Sequence, residues 1–273
     1  MLKVKRPLKK PSAAKKVASR SMKTAKAFFT ANPNVVARMK TATNVNRLAR
    51  TMGVMTIPKA IEARGTILSV RGDIMTISLT RKLVRELRDV YLMTVRDQWE
   101  YAGAVKMNVD RDYANFNTPT KRTNRMMRRV TYSEQMFQFK LTYHSHPAPR
   151  GVRSLATIPS PADFLVYISN YPDIQANIIL DNEGLYVVDI VERATTGFKP
   201  NATEAWDHFH SLVERSGAYE YMIDYDALTY RVDKNRWKSF INKTVDPIMR
   251  SKYNVSILFY FYDELPQIRI RGQ

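Results

Sequence analysis

No cysteine occurs anywhere in the 273 residues, so disulfides, thiolate nucleophiles, iron–sulfur clusters and cysteine-bound zinc are all excluded. Glycine is scarce too, with nine residues and no cluster among them. Neither a Gly-x-x-x-x-Gly-Lys phosphate loop nor a Gly-x-Ser-x-Gly nucleophile elbow is present, and the His-Glu-x-x-His metalloprotease pattern is missing. The longest apolar run near the C-terminus, Val255–Tyr262, is far too short to cross a bilayer. The lysine-rich N-terminus lacks the apolar core of a secretory signal. The expectation is an unsecreted protein without a membrane span, in the cytoplasm or nucleus or inside a virion.

Acids are absent from a long stretch: residues 1–61 contain 15 Lys or Arg, and Glu62 is the first acid. The remaining chain carries 29 of the 44 basic residues against all 25 acids, a net of +4 beside the total of +19. A strongly basic arm over 1–61 therefore precedes a nearly neutral body. Lys3, Lys5, Arg6, Lys9, Lys10, Lys15 and Lys16 are dense enough to bind a phosphate backbone by counterion release. The same composition suits a nuclear address, a mitochondrial transit peptide or a solubilising tail.

What the body does contain is 44% apolar and 11% aromatic side chains, enough for a real core. Segments TILSV and IMTISL flank Arg71-Gly72-Asp73 as a hairpin. Thr80 caps a helix whose Leu83, Val84, Leu87, Val90 and Tyr91 recur at helical spacing. EYAGAVKMNV reads as the next strand, and VTYSEQMFQFKLTYHSHP is β-rich. Ser160-Pro161-Ala162-Asp163 opens a helix running to about Asn170, and NIIL and LYVVDIV flank Asp181-Asn182-Glu183-Gly184 as a second hairpin. Residues from about 201 to 250 read as mostly helical, before the late strand VSILFYFY. The expected class is mixed α/β (α+β), a mixed β-sheet flanked by helices.

Two of the four histidines lie in Tyr143-His144-Ser145-His146-Pro147, at the end of an expected strand. Residues i and i+2 of a strand share a face, so His144 and His146 can converge on one ion. A catalytic zinc takes a third protein ligand and keeps its fourth position for water. Asp163, on the first turn of the next helix, is a candidate ligand, and Glu100, two elements upstream, is a candidate general base. Ser160-Pro161-Ala162-Asp163 is also a complete helix start that needs no metal: serine at the N-cap, proline at N1 and an acid at N3. The other pair, His208 and His210, lies in an expected helix, where i and i+2 diverge by about 200° and cannot share an ion.

The order of these residues resembles the JAMM (MPN+) zinc metalloprotease family: Glu100-Tyr101-Ala102-Gly103-Ala104-Val105 after a helix, His144-x-His146-Pro147 next, then Pro159-Ser160-x-x-Asp163. The resemblance spans about residues 70–192. It implies that His144, His146 and Asp163 bind Zn2+, that Glu100 is the catalytic acid/base, and that Ser160 hydrogen-bonds the attacking water or the developing oxyanion. It further implies zinc-dependent hydrolysis of an isopeptide or peptide bond, deubiquitinase-like, on a ubiquitin-like or other protein substrate. Twelve residues, Ala148 to Pro159, separate Pro147 from Ser160, about twice the family's usual gap. A second basic cluster, Lys121, Arg122, Arg125, Arg128 and Arg129, falls where the family's insertions border the substrate cleft.

The expected division is a basic arm over 1–61, a JAMM-like metalloprotease domain over 65–195, and a mostly helical extension with a late strand over 196–273. The alternative function is a non-catalytic component of a large assembly, a virion or nucleoprotein particle. There the same scaffold would serve structurally, and the arm would bind nucleic acid or protein.

Overall fold

A computed structural model of the chain describes residues 64–109, 113–116, 138–149, 151–152, 154–190 and 200–271. The arm over 1–61, with Lys3, Lys5, Arg6, Lys9, Lys10, Lys15 and Lys16, lies outside the described residues, as does the cluster from Lys121 to Arg129. So do the structural-assembly and nucleic-acid readings that rest on them.

The described residues form a mixed α/β body around a five-stranded sheet. It is built from β3 (Ala102–Val105), β6 (Leu141–Ser145), β8 (Ala176–Leu180), β9 (Gly184–Ile190) and β12 (Val255–Phe261), in the order β12-β9-β8-β6-β3. Only β6 and β8 pair in parallel. A parallel pair needs a crossover of a dozen or more residues, and that crossover carries the helix opened by Ser160. Both faces of the sheet are covered, which explains why NIIL and LYVVDIV are continuously apolar rather than alternating. Ile178, Leu180, Leu185 and Val187 enter one core, while Ile179, Tyr186 and Val188 enter the other.

The first core lies under α1 (Arg81–Asp97) and a second sheet. That sheet contains β1 (Arg64–Arg71), β2 (Ile74–Ser78), β4 (Met107–Val109), β5 (Tyr113–Phe116) and β13 (Gln267–Arg271), in the order β13-β2-β1-β5-β4. The expected cap is present: Thr80 Oγ1 accepts from Leu83 N at 3.0 Å. The helix ends in a left-handed Gln98 (φ 57°), whose N–H bonds the Thr94 carbonyl at 2.7 Å. This turn delivers the chain to Glu100 and β3. The expected single strand EYAGAVKMNV is in fact two: β3 and β4 belong to different sheets and are separated at Lys106.

The second core packs under α2 (Pro161–Ser169), α3 (Ala202–Arg215), α4 (Lys234–Phe240) and α5 (Asp246–Tyr253), with a π-helical turn, Ile241–Val245, joining the last two. Its largest residues are Trp237, Tyr167, Tyr186, Tyr230, Phe164, Phe209 and Phe259, all fully buried.

The boundary expected at 195/196, with a mostly helical extension beyond it, does not hold. Residues 219–232 form an unexpected hairpin of β10 (Tyr219–Asp224) and β11 (Thr229–Val232), and β12 and β13 close the two larger sheets. Arg269 on β13 also donates to Asp189 on β9, from its main chain at 2.8 Å and its guanidinium at 2.9 Å. Helical spacing in 201–250 is real but incomplete evidence, because short half-exposed strands such as β10 carry little apolar alternation.

The outer edge of β12 is closed by side chains. Its outward N–H groups at Ile257, Phe259 and Phe261 are accepted by Asp246, Asn242 and Glu264 at 3.0, 2.7 and 2.8 Å. An edge satisfied this way offers no template for another strand.

Candidate metal centre

The long gap between Pro147 and Ser160 contains a strand. β7 (Leu155–Thr157) completes a three-stranded sheet in the order β10-β11-β7. Beyond it, Ile158 N bonds Leu228 O at 3.2 Å, and the Trp206 indole donates to Pro159 O at 2.9 Å. Residues 154–159 are therefore held by the hairpin and by α3, and they deliver Ser160 to a fixed place. This is the structural use of the C-terminal third at the site.

From there α2 begins with a full capping box. Asp163 N donates to Ser160 Oγ at 3.3 Å, and Ser160 N donates to Asp163 Oδ2 at 2.7 Å. Buried Phe164, Tyr167 and Ile168 anchor the helix to the second core. The cap points the Asp163 carboxylate at the end of β6. Asp163 Oδ1 lies 3.0 Å from His144 Nε2, Oδ2 lies 3.2 Å from His146 Nε2, and the two Nε2 atoms are 3.0 Å apart. The capping and ligand readings of Ser160-x-x-Asp163 are thus one arrangement: the bond to Ser160 N fixes the oxygens that face the histidines.

His144 and His146 are 3% and 6% exposed. Two buried imidazole nitrogens pointing at each other across 3.0 Å and at one carboxylate call for a proton or a cation among them. A tetrahedral ion with bonds of about 2.0–2.1 Å would set its ligand atoms about 3.3 Å apart, close to the separations found. His144, His146 and Asp163 could hold a metal ion, and their ligand atoms all lie within 4.8 Å of one another. The Asp163 side chain keeps 13% exposure, so the group is not sealed from solvent.

Register places the remaining candidate. β3 and β6 pair antiparallel with Ala102 opposite His144, and Ser145 N bonds Tyr101 O at 2.9 Å beyond the ladder. Continuing that register puts half-buried Glu100 across from His146, on the same face. Ser145, pointing the other way, accepts from Tyr101 N at 2.9 Å and holds that entry in place. Ser160 Oγ accepts the Asp163 N–H in the cap, and its hydroxyl hydrogen is not used by that bond. The control pair behaves as expected: on α3, His210 stacks on Trp206 while His208 meets Tyr253 edge-on.

Burial drives His146 toward its neutral form, but the Asp163 carboxylate, with Glu100 and Asp181 behind it, outweighs this and raises its pKa. Burial would raise the Asp163 carboxyl, yet its bonds and charge contacts to His144 and His146 hold it well below the usual carboxylate range. Asp181, which the sequence marked only as a turn residue, is fully buried and is pushed up from 3.8 to about 7, chiefly by that burial. The signal for it was present: an acid closing the apolar run NIIL, one parallel register step beyond Leu180.

A carboxyl that keeps its proton to a higher pH when folded than when unfolded stabilises the fold below its unfolded value and loses that stabilisation as pH rises through its folded value. Asp181 makes the metal-free protein less stable from about pH 4 to 8, by up to about 4 kcal/mol. His146, also raised, acts in the same direction at the upper end. Asp163, lowered, contributes stability that is lost only in acid, as pH falls from its unfolded value through its folded value. Denaturant unfolding of metal-free protein at stepped pH should show the decline, and Asp181→Asn should flatten it. An equal slope in the variant would assign the decline to other groups.

No family model, curated protein or solved structure matches this chain. Among the described residues, no helix is long and apolar enough to cross a membrane.

Proposed function

We propose that this chain is a zinc-dependent hydrolase of isopeptide or peptide bonds, working in the manner of JAMM enzymes and docked or targeted through its basic arm. The observation that carries the reading is the meeting of His144, His146 and Asp163 from two separate elements, with Glu100 in the adjoining strand position. An acid–histidine cluster built only for stability would not need a carboxylate held by a capping box against two facing imidazoles. The donor set, two imidazoles and a carboxylate, suits zinc.

When bound, zinc would supply Lewis acidity toward the scissile carbonyl and would lower the pKa of a water to about 7. The chain's own residues do the rest. Glu100 takes the proton of the attacking water and returns it to the departing amine. The Ser160 hydroxyl donates to the oxygen on which charge develops. The substrate class is an amide bond in a protein, with a ubiquitin-like modifier as the first case to screen.

The test is elemental analysis of purified full-length protein beside His146→Ala. About one zinc per chain, lost in the variant, is expected. A well-folded protein that takes up no zinc on addition would overturn the reading.

A further inference from the structure

His146 has a second neighbour across the sheet. β6 and β8 run parallel with His144 beside Ile179 and Ser145 beside Leu180, and His146 N still bonds Leu180 O at 3.0 Å. One further step of that register sets Asp181 beside His146, and residues matched in a parallel pair share a face. Glu100, His146 and Asp181 therefore form one transverse row across three strands, below the carboxylate of Asp163.

Asp181 is entirely buried, and only one of its carboxylate oxygens has an evident role. Oδ1 accepts from Thr157 N at 3.1 Å and ties down β7, and the Asn182 N–H also acts on the carboxylate. Among the described residues, neither Asp181 Oδ2 nor His146 Nδ1 has a hydrogen-bond partner, though both are buried. Leaving two such atoms unsatisfied is costly. The β7 bond explains Oδ1 and leaves Oδ2 unexplained. The His146 ring presents Nε2 to Asp163 and His144, so an imidazole ligating through Nε2 must carry its proton on Nδ1 and needs an acceptor behind it.

We propose that Asp181 is a positioning residue of the metal centre, accepting the His146 Nδ1–H through Oδ2 by way of one water or a small rotation of the ring. The inference rests on the metal reading above. It gives the buried acid a function beyond holding β7: it selects the His146 tautomer whose Nε2 lone pair faces the ion. Asparagine at this position keeps an acceptor for Thr157 N, but its amide can donate to Nδ1 and so favours the opposite tautomer.

The experiment compares full-length wild type with Asp181→Asn by zinc titration against a chromogenic chelator, by the visible spectrum of the Co2+-substituted protein, and by metal-free unfolding. Zinc affinity about 10- to 100-fold weaker, the loss typical of an outer-shell partner, is expected, with an altered cobalt spectrum and an undiminished metal-free midpoint. Unchanged affinity and spectrum overturn the inference and leave the metal centre standing, whether or not the midpoint falls. A wild type that holds neither ion overturns both. Should the variant fold poorly, 15N NMR of histidine-labelled, zinc-loaded wild type decides: a hydrogen-bonded proton on His146 Nδ1 supports the role, and a proton exchanging freely with solvent overturns it.

Discussion

Replacing Glu100 with glutamine is expected to leave zinc bound and to lower turnover by about 100- to 10,000-fold, the range for losing a general acid–base group. The two effects separate because Glu100 is not one of the residues whose ligand atoms cluster. It reaches the site through the antiparallel register of β3 against β6. Glutamine keeps the size and the strand position but cannot take a proton from water. Zinc content and kcat on an isopeptide or peptide substrate, measured on the same preparation, check the result. Full activity in the variant would remove Glu100 from the chemistry, and loss of zinc with it would move Glu100 among the ligands.

Asp163→Asn is expected to weaken zinc binding by more than the roughly 10- to 100-fold of an outer-shell loss and to abolish turnover, while the metal-free protein still folds. Asparagine still offers an oxygen to Ser160 N, so the start of α2 survives. What disappears is the charge that holds His146 above its ordinary pKa and completes the donor set. Asp163→Ala should show the same metal loss and, in addition, a stability loss of about 1 kcal/mol from the missing cap. If Asp163→Asn binds zinc like the wild type and only the alanine variant is affected, through its stability, the residue is a cap and nothing more.

Local features were legible in the sequence because local physics sets them. The Thr80 and Ser160 caps, the apolar stripe of α1 and the hairpin around Asp181-Asn182-Glu183-Gly184 each follow from spacing within a few residues. The histidine pair was legible too, since alternation along β6 puts His144 and His146 on one face. The weave of the C-terminal third was not. Which strands β11, β12 and β13 would join depends on pairing between residues far apart in sequence, and β7 is only three residues long. A strand that short carries no period to read.

The division runs through the site itself. Residue types and their order already restricted the chemistry: without cysteine, metal binding falls to histidine and carboxylate, and His-x-His with Ser-x-x-Asp supplies a candidate set. Whether that set meets was a matter of tertiary packing. The separation between His146 and Asp163 is bridged by a segment that becomes β7, and its length says nothing about its path until β11 and Trp206 hold it. Asp181 shows the same limit more sharply. Its neighbour in sequence is a turn, its neighbour in space is a candidate ligand, and only the parallel register of β6 on β8 brings the two together.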